Sequence, residues 1–234
     1  MRLAPRRRGW REATGRAAIS CRVIVFAKAP VPGLVKTRLV PALSETAAAE
    51  LHQQLVERTL RVALAAGLGE VEIWCAPTTS DTFFAACVKQ HGVSLRAQGE
   101  GNLGMRMARA LEDALAGGSP GVLVGSDCPV LSAEYLREAA ACLAGGNDAV
   151  FGPAEDGGYV LIGLARAPSA QLFEGIAWGT STVMQETRER LVRLNWRWRE
   201  LAMLWDVDRP EDMLRLRQLR GEDFLEVLNK EAHE

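Results

Sequence analysis

The stretch that decides the fold of this 234-residue chain is Val-Ile-Val-Phe-Ala-Lys-Ala-Pro-Val-Pro-Gly-Leu-Val-Lys-Thr-Arg-Leu, residues 23–39. Its first four residues are all apolar, which is typical of a short β-strand buried on both faces of a sheet. A loop with two prolines and a glycine follows, and it carries the cations Lys28, Lys36 and Arg38. Cations on a stiff loop at a strand end suit a polyphosphate; a solvated loop whose cations only aid solubility is the alternative.

Strand-like and helix-like patterns alternate along the rest of the chain. Further strands are predicted at 71–74, 93–98, 121–126, from 148, at 159–164 and at 196–202. Helices are predicted at 44–66, 81–90, 103–116, 132–143, 179–193 and, as one helix or a pair, from Pro210. This order predicts a three-layer α/β/α domain with a mainly parallel central sheet. Ligands of such sheets bind beyond the carboxyl ends of the strands, so the loops there are where chemistry is expected.

Composition excludes several classes of protein. Hydrophobic residues make up 48% and charged residues 24% of the chain, as in ordinary soluble globular proteins. The net charge of −1 excludes a globally basic nucleic-acid binder, and no apolar run approaches the ~18 residues of a membrane span. Residues 1–20 hold six arginines and one glutamate. They are predicted to form a flexible basic arm, whose binding to an anionic partner stays open, and residues 21–234 a single domain.

Cysteine and histidine usage bears on redox state and metal binding. The five cysteines are odd in number and never closer than twelve residues apart. This spacing favours buried thiols in a reducing cytoplasm over a disulfide framework or a zinc ribbon, so the predicted location is cytoplasmic. The three histidines are too scattered in sequence to suggest a metal cluster.

Two loops after predicted strands hold further candidate ligand groups. Residues 99–104, Gly-Glu-Gly-Asn-Leu-Gly, match the Gly-x-Gly-x-x-Gly pattern. Two interpretations stay open: a dinucleotide site, or glycines that let the backbone approach a nucleotide base or sugar. Asp127 follows an apolar strand, where a carboxylate costs free energy unless a cation or hydrogen bonds compensate it. Binding of Mg²⁺ or Mn²⁺ and a helix-capping role are equally open for this residue.

Two acidic stretches lie further along the chain. Glu155 and Asp156 precede the pair of glycines 157–158, which indicates either close approach of a ligand or a plain turn whose acids face water. Asp206 and Asp208 alternate in an extended segment and therefore face the same side. One of them is a candidate second metal ligand and the other a candidate helix cap.

Five motifs, in order along the chain, resemble one known family. They are residues 26–39, Gly-Ser-Asp-Cys-Pro at 125–129, Gly-Pro-Ala-Glu-Asp-Gly-Gly-Tyr at 152–159, Ala-Trp-Gly-Thr at 177–180 and Trp-Asp-Val-Asp-Arg-Pro-Glu-Asp at 205–212. They resemble the bacterial GT-A-fold glycosyltransferases of the DUF2064 type, some of which are labelled arsenosugar biosynthesis glycosyltransferases. The chain is more distantly similar to molybdenum cofactor guanylyltransferases and 2-phospholactate guanylyltransferases. The likeness covers about residues 21–220.

The resemblance implies a nucleotide-diphospho-sugar transferase fold with a divalent ion, Mg²⁺ or Mn²⁺, a nucleotide or nucleotide-sugar donor and a small-molecule acceptor. The implied nucleotide-binding residues are Ala27, Lys28, Lys36, Thr37, Arg38, Gly101, Leu103 and Gly104. The implied metal ligands are Asp127 and Asp208. Acceptor binding is predicted for Glu155, Gly157, Gly158, Tyr159 and Trp178, and catalytic roles for Lys36, Arg38 and Asp156.

One departure from the family pattern concerns the reaction. Residues 127–129, Asp-Cys-Pro, lack the second acid of the Asp-x-Asp motif of many glycosyltransferases, and this single-acid form is closer to the nucleotidyltransferases. The leading hypothesis is a metal-dependent glycosyltransferase that uses a nucleotide sugar. The second is a nucleotidyltransferase that couples an NTP to a phosphorylated small molecule and releases pyrophosphate. A non-catalytic nucleotide-binding module and an NAD-dependent dehydrogenase are the remaining alternatives.

Overall fold

The computed structural model describes residues 20–219. The predicted basic arm lies outside this range except for its last residue, and so does any second helix of the predicted C-terminal pair. Within the range, no helix is long and apolar enough to cross a membrane. All five cysteines are free thiols, four of them buried and Cys142 partly exposed. The expectation of buried, unpaired thiols is therefore confirmed for four of them.

Seven strands of the described chain form one mixed sheet. They are β1 Arg22–Lys28, β2 Val71–Ala76, β3 Ser94–Ala97, β4 Gly121–Gly125, β5 Ala149–Pro153, β6 Tyr159–Leu164 and β7 Trp198–Glu200. Their order across the sheet is β3-β2-β1-β4-β6-β5-β7. Strand β6 runs antiparallel to both of its neighbours, and the other pairs are parallel. The prediction of a mainly parallel sheet is confirmed.

Helices connect these strands. They are α1 Glu45–Ala66, α2 Thr82–His91, α3 Leu103–Ala116, α4 Ala133–Ala144, α5 Ala170–Phe173, α6 Val183–Arg193 and α7 Pro210–Gln218, with one turn of 3-10 helix at Thr37–Leu39. The Ser44 hydroxyl accepts the Ala47 N–H at 3.1 Å to start α1, and Gly67 ends that helix with a φ of 63°. Asn102 accepts the Met105 N–H at 3.0 Å to start α3. Short polar caps and a left-handed glycine thus set these helix ends.

The helices lie on both faces of the sheet. Val23 and Val25 of β1 pack in one core layer with α1, α2 and α4, while Ile24 and Phe26 pack in the other with α3, α5 and α6. The predicted burial of β1 on both faces is confirmed, since all four side chains are buried. A third cluster packs α7 and the segment 205–207 against α1. That packing brings the segment after β7 alongside the loop after β1.

Three details differ from the sequence prediction. The strand predicted at 196–202 is reduced to β7, because Asn195 adopts a φ of 52° and the Trp196 N–H donates to the Leu191 carbonyl at 3.0 Å. This hydrogen bond keeps Trp196 in the turn that ends α6, so the strand begins two residues later. Trp196 and Trp198 still pack in the same core layer. The helix predicted at 179–193 begins at Val183. Helix α5 has four residues, too few for a periodic pattern to predict it.

Candidate active site

A cleft at the carboxyl ends of the parallel strands contains two adjoining cavities. The first, here called the loop cavity, has a volume of about 430 Å³ and is lined mainly by the loop after β1. The second, here called the aromatic cavity, has a volume of about 250 Å³ and is lined by Tyr159 and Trp178 among others. Leu103, Gly125 and Asp127 line both. A ligand occupying the two cavities would therefore pass Asp127.

The loop cavity collects most of the predicted nucleotide-binding residues. Those that line it are Ala27, Lys28, Lys36, Thr37, Arg38 and Leu103, together with the predicted metal ligands Asp127 and Asp208. Gly101 and Gly104 are not among the lining residues. A Cβ on Gly104 would lie 2.5 Å from the Trp178 ring, so close packing accounts for a glycine at this position.

Lys36 is the most tightly held cation of the loop. Its side chain is 4% exposed, and its Nζ donates to the Val207 carbonyl at 2.6 Å and lies 2.6 Å from Asp127 Oδ1. Its backbone is left-handed, with φ 50° and ψ 31°, a conformation that a non-glycine residue keeps only where its surroundings hold it. Asp127 and Val207 supply those surroundings. The ammonium group is therefore fixed beside Asp127 at the floor of the cavity.

Asp127 remains ionised in this setting. Burial alone would raise the pKa of its carboxyl group, but the charge of Lys36, and then the neighbouring His52, lower that pKa well below its usual range. His52 is buried on α1; its Nε2 lies 3.0 Å from the Lys28 carbonyl and its Nδ1 3.7 Å from Asp127 Oδ1. Ser132, and not Asp127, caps the following helix α4. The capping alternative for Asp127 therefore does not apply to α4.

Arg38 and Asp208 form an ion pair at the mouth of the loop cavity. Arg38 Nη1 donates to Asp208 Oδ2 at 2.6 Å, and both side chains are exposed, at 62% and 39%. An exposed pair of this kind contributes little to stability. The pair makes Arg38 a candidate phosphate ligand, since a guanidinium binds a phosphate through the same N–H donors that it offers to a carboxylate.

The aromatic cavity combines three carboxylates with an aromatic wall. Asp127, Asp156 and Asp206 line it. Tyr159 lies edge-on to Trp178 at a centroid distance of 6.4 Å, and Trp178 stacks on Phe173 at 6.5 Å. Burial raises the pKa of Tyr159 well above its usual range, so its hydroxyl stays protonated. The wall is thus an uncharged aromatic surface facing an acidic one.

The carboxylates of Asp127, Asp156 and Asp206 are the candidate ligands for a divalent ion in the aromatic cavity. Burial, and then the negative charges of Asp156 and Asp127, raise the pKa of Asp206 to about 6. Among residues 20–219, no three His, Cys, Asp or Glu side chains are close enough to hold a metal ion by themselves. Mg²⁺ is commonly bound by one or two carboxylates, water and the phosphates of a substrate. The donor set therefore fits an ion shared with a bound phosphate and not a metal site made by the protein alone.

Comparison with known proteins now identifies the family. The model of the family described as "Uncharacterized protein conserved in bacteria (DUF2064)" matches residues 59–180. A solved structure, of a candidate nucleotide-diphospho-sugar transferase from Desulfovibrio desulfuricans G20, is 31% identical and superposes with a TM-score of 0.80 over 91% of this chain and 95% of its own. This chain belongs to the DUF2064 family.

Two structures of lower sequence identity show the fold class to which the chain belongs. A cytidylyltransferase from Leptospira borgpetersenii is 10% identical, with a TM-score of 0.56 over 90% of this chain and 91% of its own. Glucosyl-3-phosphoglycerate synthase from Mycobacterium tuberculosis, solved with Mn²⁺ and UDP, is 14% identical, with a TM-score of 0.53 over 97% and 86%. No curated protein matches the chain. The fold is therefore that of the GT-A glycosyltransferases and nucleotidyltransferases, as the motifs predicted.

The acidic turn of this DUF2064 chain separates two residues that look alike in sequence. Asp156 lines the aromatic cavity, and its Oδ1 accepts the Gly158 N–H at 2.8 Å. Glu155 instead pairs with Arg215 of α7 at 2.7 and 3.0 Å. Glu155 and Gly157 are not among the residues lining either cavity, whereas Gly158, Tyr159 and Trp178 are.

Gly157 docks the turn against the segment before α6. Its φ is 90°, and a Cβ there would overlap the Ser181 carbonyl. We expect Gly157→Ala to lower the free energy of unfolding by about 3 kcal/mol, from the left-handed backbone and from overpacking together. Gly118→Ala is the matched control, because its φ is 83° and no atom lies within 4 Å of its Cβ. Urea unfolding of both variants tests this; equal losses would show that the Ser181 contact is unimportant.

Three residues that line the cleft were not predicted as site residues from the sequence. They are His52, Gln98 and Arg106, which all line the loop cavity. His52 lies on the apolar face of α1 beside Leu51 and Leu55, and Gln98 directly follows β3. The available signal for His52 was a polar residue on an apolar helix face, and for Gln98 a polar residue at the carboxyl end of a strand. Arg106 lies outside the buried face of α3, so neither signal marks it.

Proposed function

We propose that this protein is a metal-dependent glycosyltransferase that takes its sugar from a nucleotide-sugar donor. Use of a nucleotide-activated donor is supported by the cationic loop cavity and by the 31% identical candidate nucleotide-diphospho-sugar transferase. The proposal has a donor half in the loop cavity and an acceptor half in the aromatic cavity, which meet at Asp127.

In the donor half, the chain's own cations stabilise the leaving group. Departure of a nucleoside diphosphate leaves negative charge on its phosphates, and Lys36 and Arg38 lie where that charge develops. Lys36 is fixed before the ligand arrives, because Val207 and Asp127 already hold its ammonium group. Arg38 exchanges its single hydrogen bond to Asp208 for a phosphate, which carries more charge and can accept both prongs of the guanidinium.

A divalent ion completes the donor half of this proposal. Asp127 and Asp206 would bind this ion, and the phosphates of the donor would supply its other ligands. Asp208, which the sequence predicted as a metal ligand, is hydrogen-bonded to Arg38 and stays a prediction. When bound, Mg²⁺ or Mn²⁺ neutralises charge on the diphosphate as a Lewis acid. The Lys36 and His52 contacts keep Asp127 ionised and hence available as a ligand.

The observation that favours glycosyl transfer is the lining of the aromatic cavity. Within residues 20–219, its lining includes three aspartates and no lysine or arginine. A phosphorylated acceptor, as used by a nucleotidyltransferase, would face these carboxylates without a cationic side chain to bind it. A hydroxyl-bearing, uncharged acceptor suits the cavity better, since sugar-like rings pack on aromatic faces and carboxylates accept hydroxyl hydrogen bonds.

Asp156 is the proposed group that takes the acceptor's proton. Gly158 holds one of its oxygens at 2.8 Å, which fixes the carboxylate at the edge of the cavity. A carboxylate within hydrogen-bond reach of the acceptor hydroxyl raises the nucleophilicity of its oxygen as the sugar–phosphate bond breaks. Tyr159 and Trp178 line the same cavity and offer apolar ring surface to the acceptor.

Product analysis tests this assignment. The protein is incubated with a panel of nucleotide sugars and polyol or sugar acceptors, with Mn²⁺ or Mg²⁺, and release of nucleoside diphosphate is measured. A parallel panel of NTPs with phosphorylated acceptors is assayed for pyrophosphate. Nucleoside diphosphate release that depends on acceptor supports the proposal. Pyrophosphate release alone would establish nucleotidyl transfer, which the single acid at Asp127 keeps as the second candidate.

The cationic loop gives a separate prediction. We expect Arg38→Ala to weaken nucleoside diphosphate binding by about tenfold, since one charge-assisted, two-pronged contact is lost. Arg38→Lys should recover only part of that affinity, because the ammonium group restores the charge but not the fork. Isothermal titration calorimetry of the wild type and the two variants with one nucleoside diphosphate measures the three dissociation constants. Equal dissociation constants would remove Arg38 from the phosphate site.

A further inference from the structure

A fixed pair of polar side chains lies at the β3 end of the loop cavity. Gln98 is 4% exposed, and its Nε2 donates to the carbonyls of Trp74 at 2.8 Å and Ala27 at 3.4 Å. Its Oε1 accepts from Arg106 Nη1 at 2.7 Å. Two carbonyls on one side and a guanidinium on the other fix the orientation of the amide. Gln98 therefore acts as a rigid support for Arg106.

Arg106 retains unused donor capacity in this position. It lies in the first turns of α3 and lines the loop cavity. Its Nε is buried and has no hydrogen-bond acceptor among residues 20–219. A guanidinium carries five N–H donors; Gln98 uses one at Nη1, and apart from the buried Nε the Nη donors that remain are left for a ligand in the cavity that Arg106 lines.

The sheet order sets how far this end of the cavity lies from Asp127. Gln98 follows β3 and Asp127 follows β4, with β2 and β1 between them. Adjacent strands are spaced about 4.8 Å apart, so the two strand ends lie roughly 14 Å apart, a span that a nucleoside diphosphate can bridge. Leu34 and Leu103 also line the cavity and expose 68% and 36% of their surface, which offers apolar contacts for the faces of a base.

We infer that Arg106, positioned by Gln98, selects nucleotides whose base carries a carbonyl oxygen at purine C6 or pyrimidine C4, as guanine and uracil do, over those that carry an amine there, as adenine and cytosine do. The inference rests on the proposed function, because it assumes that the phosphates bind at Lys36 and Arg38. A carbonyl oxygen accepts from the guanidinium, and in guanine the adjacent N7 accepts as well. An exocyclic amine would bring donor against donor and leave the Arg106 N–H groups without partners.

Binding of four nucleotides tests the selection. Dissociation constants of GDP, UDP, ADP and CDP are measured by titration calorimetry with Mn²⁺, for the wild type and for Arg106→Gln. We expect GDP or UDP to bind at least about tenfold more tightly than both ADP and CDP, the factor for one charge-assisted hydrogen bond. In Arg106→Gln, whose amide both donates and accepts, the ratio should fall to about threefold or less. The comparison of GDP with UDP identifies which carbonyl base fits.

Two further variants make the result specific to Arg106. Arg106→Lys keeps the charge and the donor-only character without the fork, so it should keep part of the preference that Arg106→Gln loses. Arg193→Gln is the matched control, since Arg193 pairs with Glu189 on the outer surface of α6 and lines neither cavity. Its four dissociation constants should equal those of the wild type, and thermal unfolding confirms that each variant is folded.

Three outcomes overturn the inference. Binding of ADP or CDP as tight as that of both carbonyl nucleotides would show that the base is not selected in this way. An equal loss for all four nucleotides in Arg106→Gln would show that Arg106 contacts phosphate. Failure of all four to bind the wild type would overturn the proposed function together with the inference, whereas binding without preference overturns only the inference.

Discussion

Asp127→Asn is expected to lower the rate of transfer by about a thousandfold, the loss typical of removing a central electrostatic group from an active site. The substitution removes the negative charge with which Asp127 would hold the metal ion, and it does so at the junction of the two cavities. Nucleotide binding should also lose its dependence on Mn²⁺. Product formation and the nucleotide dissociation constant, each with Mn²⁺ and with a chelator, measure both effects.

Asparagine is preferred to alanine here because of Lys36. The Lys36 side chain is 4% exposed and lies 2.6 Å from Asp127 Oδ1. An amide oxygen still faces the ammonium group, whereas alanine leaves it with Val207 as its remaining contact. We expect Asp127→Ala to lower the free energy of unfolding by about 2 kcal/mol, less than for a fully buried ion pair because Asp127 is 46% exposed.

The pH of these assays follows from the direction of the Asp127 pKa shift. The native pKa is lowered, so the ion pair stabilises the fold above the unfolded pKa of about 4 and is lost as pH falls through the native pKa. Assays near pH 7.5 therefore compare proteins with the ion pair fully formed. Asp127→Asn with the wild-type rate, or equal nucleotide binding by the wild type with and without chelator, would show that Asp127 is not a metal ligand.

Local patterns were enough to predict most of the architecture. The apolar run of β1 predicted a central strand, and Ser44 and Gly67 predicted both ends of α1. Each of these patterns spans only a few residues: an apolar run marks a strand buried on two faces, and a cap residue marks the end of a helix. The alternation of such elements then restricts the topology to a mainly parallel sheet, because crossovers between parallel strands are right-handed. The strand predicted at 196–202 is shortened to β7, because α6 ends in a turn at Asn195.

The site was harder to predict because its residues meet only after folding. Lys36 lies beside Val207, 171 positions away, and Glu155 pairs with Arg215, 60 positions away. No local pattern distinguishes Glu155 from Asp156, yet the turn sends one to α7 and the other to the aromatic cavity. The loops at the strand ends were predictable from topology, whereas the direction of each side chain depends on packing against α1 and α7.

Asp156→Asn is expected to reduce turnover by about 100-fold or more while leaving nucleotide affinity unchanged, the range for a positioned acid–base group. An asparagine Oδ1 can still accept the Gly158 N–H, so the turn that aims the side chain is kept and only the charge is lost. The nucleotide dissociation constant and the rate of product formation are measured on the same preparation. A lower rate of product formation with an unchanged nucleotide dissociation constant would assign Asp156 to the acceptor half of the cleft.

Glu155→Gln is the matched control, since it removes a charge from the neighbouring residue, whose partner Arg215 lies on α7 and outside both cavities. Its turnover should stay within about twofold of the wild type, because an exposed ion pair contributes little. If Asp156→Asn lost nucleotide affinity together with turnover, Asp156 would belong with the metal ligands beside Asp206. If it lost neither, Asp156 would be an exposed turn residue, and Asp206, which is partly buried and lines the aromatic cavity with Asp127 and Asp156, would become the next proton acceptor to test.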